Sequence, residues 1–393
     1  MMRNIAVGID IGTYQIKVVV AEVVKENGKT STKILGTGFA ESKGLRHGYI
    51  INGEDATQSI TEAVRQAEKA SGIKIHKAYI AVGGIGLTGI SSTASVMIGR
   101  ADLQITELDI EKLLETCEKS ISPSLIQNQK IIHSIPVSYR IDGKPVLSKT
   151  PIDMRGNKLE VKMLFITCLE PHLNDILEAV DGAGIEVIDV LASPIAASFV
   201  TLNKTQKIAG CVLANIGSET ISIGVFENNI PISLEVFPIG STDITNDIAL
   251  GLKIPLEEAE NIKLGGIGSA SYSKKKIEEI ISARLSDMFE LIDNHLKKIG
   301  RNGLLPAGII ITGGGSGIGG IEDFAKIALK LPSKIATLNF DGQKNHLKDS
   351  NWAVAYGLCM LGLSKEEKVN LGLKTKINKS KDKVFGWIRQ FLP

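Results

Sequence analysis

The sequence predicts an α/β protein of two related domains, with a small α+β module inserted in the first and a short amphipathic helix at the C-terminus. Three stretches carry that prediction. The first runs from Ile5 to Thr13: an apolar strand, then Asp10, Gly12 and a hydroxyl. β residues resume at Ile16 and continue to Val20, which marks a hairpin with Gly12 to Gln15 as its turn. The second runs from Val212 to Thr220 and repeats the plan with Asn215, Gly217 and Ser218, before a strand at Ile221 to Val225. The third is a glycine turn, Thr312 to Ser316, after the strand Ile309 to Ile311.

Each stretch alone is equally a plain polar turn, and the repetition argues for more. Gly12 lets backbone N–H groups approach an anion, Thr13 adds a hydroxyl, and Lys17 returns a positive charge. Asp10 is the residue type that holds hydrated magnesium. No GxxxxGK[ST] or GxGxxG motif follows a strand, so neither a Walker loop nor a dinucleotide fingerprint is present.

Two such hairpins and a late glycine turn resemble the actin, Hsp70 and sugar-kinase superfamily. The resemblance implies an actin-like (RNase H-like) two-domain ATPase fold with ATP and Mg2+ between the domains. Asp10, Gly12, Thr13, Tyr14 and Lys17 would then serve from one side, with Asp10 on the metal. Asn215, Gly217, Ser218 and Thr220 would serve from the other. Gly240, Glu260, Lys263, Gly313, Gly314, Gly315 and Ser316 would surround the adenosine.

The chain has 393 residues, 43% hydrophobic and 22% charged, which suits two or more domains with ample core. A net charge of +2 gives no pull toward nucleic acid. Cys117, Cys168, Cys211 and Cys359 are far apart in apolar segments, which predicts buried reduced thiols in a cytoplasmic protein. The first strand begins at once, so no signal peptide is expected, and no apolar run is long enough to span a bilayer. The histidines form no constellation, and no catalytic residue is assigned.

In order, residues 1–84 read as the first part of domain 1, with helical periodicity over Asp55 to Ala70. Residues 85–164 read as the inserted module: one helix capped by Thr106 with Asp109 three residues on, against a few strands. Residues 165–206 complete domain 1 and the link. Domain 2 takes 207–240 and 306–350, around a small basic subdomain at 241–305. A helix over 351–363 crosses back.

The inserted module makes the resemblance specific. Ile105 to Asp109, His133 to Tyr139, Asp142-Gly143, Pro151 to Gly156 and Lys158 to Glu160 resemble the subdomain of the bacterial division family FtsA, in place of the usual actin subdomain. That implies a protein that polymerises on the membrane, ties the tubulin-like FtsZ to it by binding the acidic FtsZ tail, and receives later division proteins on the inserted module. The tail would meet the small subdomain, which carries Lys253, Lys274, Lys275, Lys276, Arg284, Lys297, Lys298 and Arg301. Two positions depart from the family pattern. Asn215 stands where Asp is usual, and Ser193 where Gln or Glu orients the attacking water, so hydrolysis is expected to be very slow. The alternatives are a PilM-like pilus-assembly adaptor and a sugar-kinase-like phosphotransferase.

From Ser364 the composition turns basic, and 364–382 reads as a flexible linker. Seven lysines and Arg389 against Glu366, Glu367 and Asp382 give the last thirty residues a net charge of +5. In 383–393, Val384, Phe385, Trp387, Ile388, Phe391 and Leu392 form one helical stripe opposite Lys383, Arg389 and Gln390. The stripe is too short to span and suits the surface of an anionic membrane, placing the protein peripherally on the cytoplasmic face at the septum.

Overall fold

The computed structural model describes residues 4–26, 29–148, 150–265, 272–338 and 350–370. Strand β1 (Ile5–Ile11) turns at Gly12 into β2 (Gln15–Glu26), and β3 (Lys29–Glu41) follows on its other side. Two short strands, β4 (Leu45–Arg46) and β5 (Tyr49–Ile50), pair with each other. The Asn52 side chain caps α1 (Gly53–Ser71) by accepting from the N–H groups of Glu54 and Asp55. Ala56, Ile60, Ala63, Val64 and Ala67 bury one face of α1. Next, β6 (Lys77–Val82) lies parallel to β1.

The inserted module begins with β7 (Thr88–Met97) and α2 (Glu107–Lys119). The Thr106 hydroxyl and N–H both donate to the Asp109 carboxylate, so the helix starts where its cap chemistry requires. Then come α3 (Pro123–Ile126), β8 (Gln129–Ile141), β9 (Lys144–Pro145) and β10 (Lys158–Leu169). These strands form an antiparallel sheet in the order β7-β10-β8-β9. Ile110, Leu113 and Cys117 of α2 pack on Leu159, Val161, Met163 and Phe165 of β10.

Helix α4 (Glu170–Gly182) leads into β11 (Glu186–Ala192), parallel to β6. The first sheet is therefore ordered β11-β6-β1-β2-β3. After α5 (Ser193–Thr201) and α6 (Lys204–Ala209) the pattern restarts with β12 (Cys211–Ile216), β13 (Ile221–Glu227) and β14 (Ile230–Phe237). Helices α7 (Ser241–Leu252), α8 (Leu256–Lys263) and α9 (Lys274–Lys298) pack together, and β15 (Ile309–Thr312), α10 (Ile321–Leu329) and β16 (Ser333–Ile335) complete the second sheet.

Its order, β14-β13-β12-β15-β16, repeats the first: two antiparallel pairings on one side of the opening strand, two parallel strands on the other. A second apolar core surrounds this sheet, from Val212 and Ile223 to Phe289 and Ile311. Helix α11 (Ala353–Asn370) returns to the first sheet. Cys359 Sγ donates to the carbonyls of Val19, at 3.2 Å, and Ala6, at 3.6 Å. All four cysteines are free and buried, and burial pushes the Cys168 thiol to about 11 and that of Cys211 to about 12.

One boundary differs from expectation. Residues 364–370, given to the linker, continue α11. Lys365, Glu366, Glu367 and Lys368 are good helix formers without apolar period, so their composition imitates a linker. The rest of the linker and the Val384 to Leu392 stripe lie outside the described residues.

Candidate nucleotide cleft

Ligands of open α/β sheets collect outside the carboxyl ends of the strands, and the sequence motifs lie there in both sheets. Asp10 is opposite Lys17 across the first hairpin and level with Ala81 of β6. Burial pushes the Asp10 carboxyl above its ordinary value, and the Lys17 ammonium pulls it back. Tyr14, at the hairpin tip, is exposed. Beside Asp10, Gly83 follows the end of β6 and Ser193 the end of β11; a Cβ on Gly83 would lie 3.3 Å from the Ser193 hydroxyl.

Asn215 occupies the matching place in the second sheet, opposite Ser222 and level with Thr312. The turn after it closes with the Gly217 N–H donating to the Thr220 carbonyl at 2.8 Å. Helix α7 begins on that turn: the N–H groups of Ser241 and Thr242 donate to the carbonyls of Gly217 and Ser218 at 2.9 and 2.8 Å. Gly240 permits the approach, because a Cβ there would meet the Ser218 carbonyl oxygen at 2.2 Å.

The late turn is a single 3-10 turn, Gly314–Gly317. Gly313 has φ 86, and a Cβ on it would lie 2.3 Å from Asn215 Oδ1, so two motifs far apart in sequence touch. Gly315 is equally closed, its Cβ 2.4 Å from the Ile216 side chain, whereas at Gly314 the first neighbour is Asn351 Oδ1 at 3.7 Å. The buried Ser316 hydroxyl is committed to the turn, bonding the Gly313 carbonyl at 2.7 Å and Ser350 at 2.9 Å. Ser350 also accepts from Thr312, at 3.0 Å.

Glu260 and Lys263 are brought together beside α7, with different consequences. Lys263 is buried, and its ammonium meets Ser241 O at 3.1 Å, Thr245 Oγ1 at 2.9 Å and Glu260 Oε2 at 2.7 Å. An ammonium has three donors, so Lys263 orients Glu260 rather than reaching out itself. The Glu260 side chain remains 44% exposed.

The basic residues of the small subdomain do not form one cluster. Helix α9 has 25 residues, about 37 Å at 1.5 Å per residue. Lys274, Lys275 and Lys276 sit at its start, whereas Lys297, Lys298 and Arg301 sit at or beyond its end. Arg284 forks onto Asp247 at 2.7 and 3.0 Å, Arg301 forks onto Glu227, and Lys297 pairs with Asp293 at 2.7 Å.

Sequence reasoning passed over Ser350, Asn351, His47 and Glu219. The His47 N–H donates to Glu219 Oε2 at 2.5 Å, which ties the first domain to the second hairpin. Glu219 stands between the two hydroxyl residues of that turn, and a charge there was the one available signal.

Comparison with known proteins fits this geometry. A family model described as Cell division protein FtsA matches residues 212–357, and one described as SHS2 domain inserted in FTSA matches residues 84–167. The cell division protein FtsA of Borreliella burgdorferi is 31% identical, over 98% of this chain and 98% of that protein. The chain belongs to the FtsA family. The FtsA of Pseudomonas aeruginosa is 28% identical over 92% of this chain and 89% of its own. Among solved structures, the PilM-PilN type IV pilus biogenesis complex aligns with TM-score 0.68 and 19% identity, over 91% of this chain and 98% of that one. MreB5 of Spiroplasma citri bound to ADP aligns with TM-score 0.52 and 14% identity, over 94% and 99%. At such identities these two speak for the fold alone. The chain is a division-related protein with the actin-like ATPase fold and an SHS2-type insert.

Proposed function

We propose that this protein binds ATP with Mg2+ between its two domains, polymerises on the cytoplasmic face of the membrane at the septum, and holds FtsZ filaments there. The observation that carries the reading is the duplicated sheet, with Asp10 and Asn215 at matching strand ends and the Gly313 turn against Asn215. The residues present fit a magnesium nucleotide. A carboxyl raised by burial, with one lysine opposite, gains by facing a cation. Among the described residues no group of three or more His, Cys, Asp or Glu could hold a metal ion. Asp10 would hold the magnesium of the nucleotide, and the metal would neutralise phosphate charge. Hydrolysis is slow in this reading, because Asn215 lacks the second carboxylate and Ser193 carries no base.

The acidic FtsZ tail meets the Lys274 to Lys276 end of α9, where the side chains of Lys274 and Lys275 are 89% and 86% exposed. The inserted module receives later division proteins. Val384, Phe385, Trp387, Ile388, Phe391 and Leu392 insert in the membrane surface, with the tail lysines on anionic lipid. Among the described residues no helix is long and apolar enough to cross a membrane.

The deciding experiment uses the full chain, anionic vesicles and ATP calorimetry together. Truncation at Lys381, or Trp387→Glu, releases the protein from sedimenting vesicles and leaves ATP affinity unchanged. Vesicle binding at the original level by both variants would end the membrane reading, and no heat of ATP binding would end the cleft reading.

A further inference from the structure

Residues Leu45 to Ile50 form a strap over the mouth of the cleft. Besides the N–H bond to the Glu219 carboxylate, His47 donates from Nδ1 to the Glu219 carbonyl at 3.2 Å. Next to it, the Gly48 N–H donates to Thr13 Oγ1 at 3.0 Å. The strap thus holds one hairpin by its hydroxyl and the other by its carboxylate. It is also braced from beneath. The Ile85 N–H donates to the His47 carbonyl at 3.3 Å, and the Tyr49 ring lies 4.5 Å from that of His172. His172 in turn donates from Nε2 to the Gly83 carbonyl at 3.1 Å. His47 sits at φ 49, a conformation that side chains rarely adopt without such support.

We propose that Glu219 and His47 are positioning residues for the nucleotide: they latch the two domains together at the phosphate end of the cleft and set how fast nucleotide leaves. The proposal rests on the cleft reading above. Thr13 has one hydroxyl proton and two lone pairs. With a lone pair taken by Gly48, that proton stays free for a phosphate oxygen. Glu219 belongs to the second domain and His47 to the first, so the domains cannot part at this end without breaking both bonds. Neither residue needs to touch the nucleotide; they act through Thr13 and through closure. Asn215 carries no carboxylate, and Glu219 supplies one to the turn that follows but commits it to the facing domain.

The test measures dissociation of a fluorescent N-methylanthraniloyl ATP from the full chain, chased with excess ATP. Losing a hydrogen bond to a charged acceptor should speed dissociation about tenfold in Glu219→Ala, with association little changed. Glu219→Gln keeps an acceptor oxygen for the His47 N–H and should restore the rate to within about threefold. Hydrogen exchange of the His47 amide in nucleotide-free protein should rise in Glu219→Ala and not in Glu219→Gln. Thermal unfolding of both variants near the unaltered midpoint supports positioning rather than a structural role. Unchanged dissociation in a folded Glu219→Ala, or a rate in Glu219→Gln as fast as in Glu219→Ala, overturns the latch alone. No binding of the fluorescent nucleotide by the unaltered chain overturns the cleft reading as well.

Discussion

Asp10 and Asn215 occupy the same position in two sheets of the same topology, each one residue from the end of the opening strand and facing the returning strand of its hairpin. One is a carboxyl and the other its amide isostere. Asn215→Asp should fit without repacking and give the proposed magnesium ion a second carboxylate. We expect phosphate release from ATP to rise about tenfold, an order set by the electrostatic gain at a metal-bound phosphate. A rate equal to that of the unaltered chain would show that the amide is not what limits hydrolysis.

The glycine turn separates folding from binding. Gly313→Ala forces a side chain onto φ 86 and into Asn215, and should destabilise the second domain by about 2 kcal/mol or more. A Cβ on Gly314 meets only Asn351, at ordinary contact distance. Gly314→Val should unfold near the original temperature yet lose most ATP affinity by calorimetry. Wild-type affinity in Gly314→Val would move the ligand away from this turn.

Lys263 and Glu260 should respond differently to substitution. Lys263→Met leaves the Ser241 carbonyl and the Thr245 hydroxyl without their buried donor, at a cost of about 1–3 kcal/mol. Its melting temperature should fall. Glu260→Gln should melt close to the original and bind ATP more weakly. Equal melting of the two variants would contradict this division of labour.

Acid should loosen the second domain through His295. Burial first, and then Lys298, push this imidazole down to about 4, whereas an unfolded histidine takes its proton near 6.5. Between those values the unfolded chain binds more protons, so stability rises with pH through the window and is lost as pH falls. Glu235, 3.9 Å from His295, works the other way: burial raises its carboxyl, so the folded chain keeps that proton longer. His295→Gln removes the first contribution and leaves the second. Its urea midpoint should fall less between pH 7 and pH 5 than that of the unaltered chain; equal falls would contradict the assignment.

What was legible in the sequence was local. A strand, a charged or amide residue, a glycine and hydroxyls follow one another in a few positions, so both hairpins and the Gly313 turn could be read directly, as could Thr106 with Asp109. The latch could not, because His47 and Glu219 meet only after two domains have docked. Arg284 and Arg301 looked free for the same reason: Asp247 and Glu227, which hold them, come from other elements. The end of α11 was misread because Lys and Glu extend a helix and build a linker equally well.

The position of α11 bears on how the chain is made. Its Ala355 carbonyl lies 2.2 Å from where a side chain on Gly8 would begin, so α11 covers β1. A ribosome delivers β1 well before α11. Among the described residues the strands of the second sheet are in place by Ile335, and Ser350, which bonds Thr312 and Ser316, also precedes α11, so that domain can close while its elder neighbour still shows a bare apolar face. A chain stopped short of Ala353 lacks the helix that packs on β1, and its first domain is expected to be cleaved by protease sooner than that of the full chain.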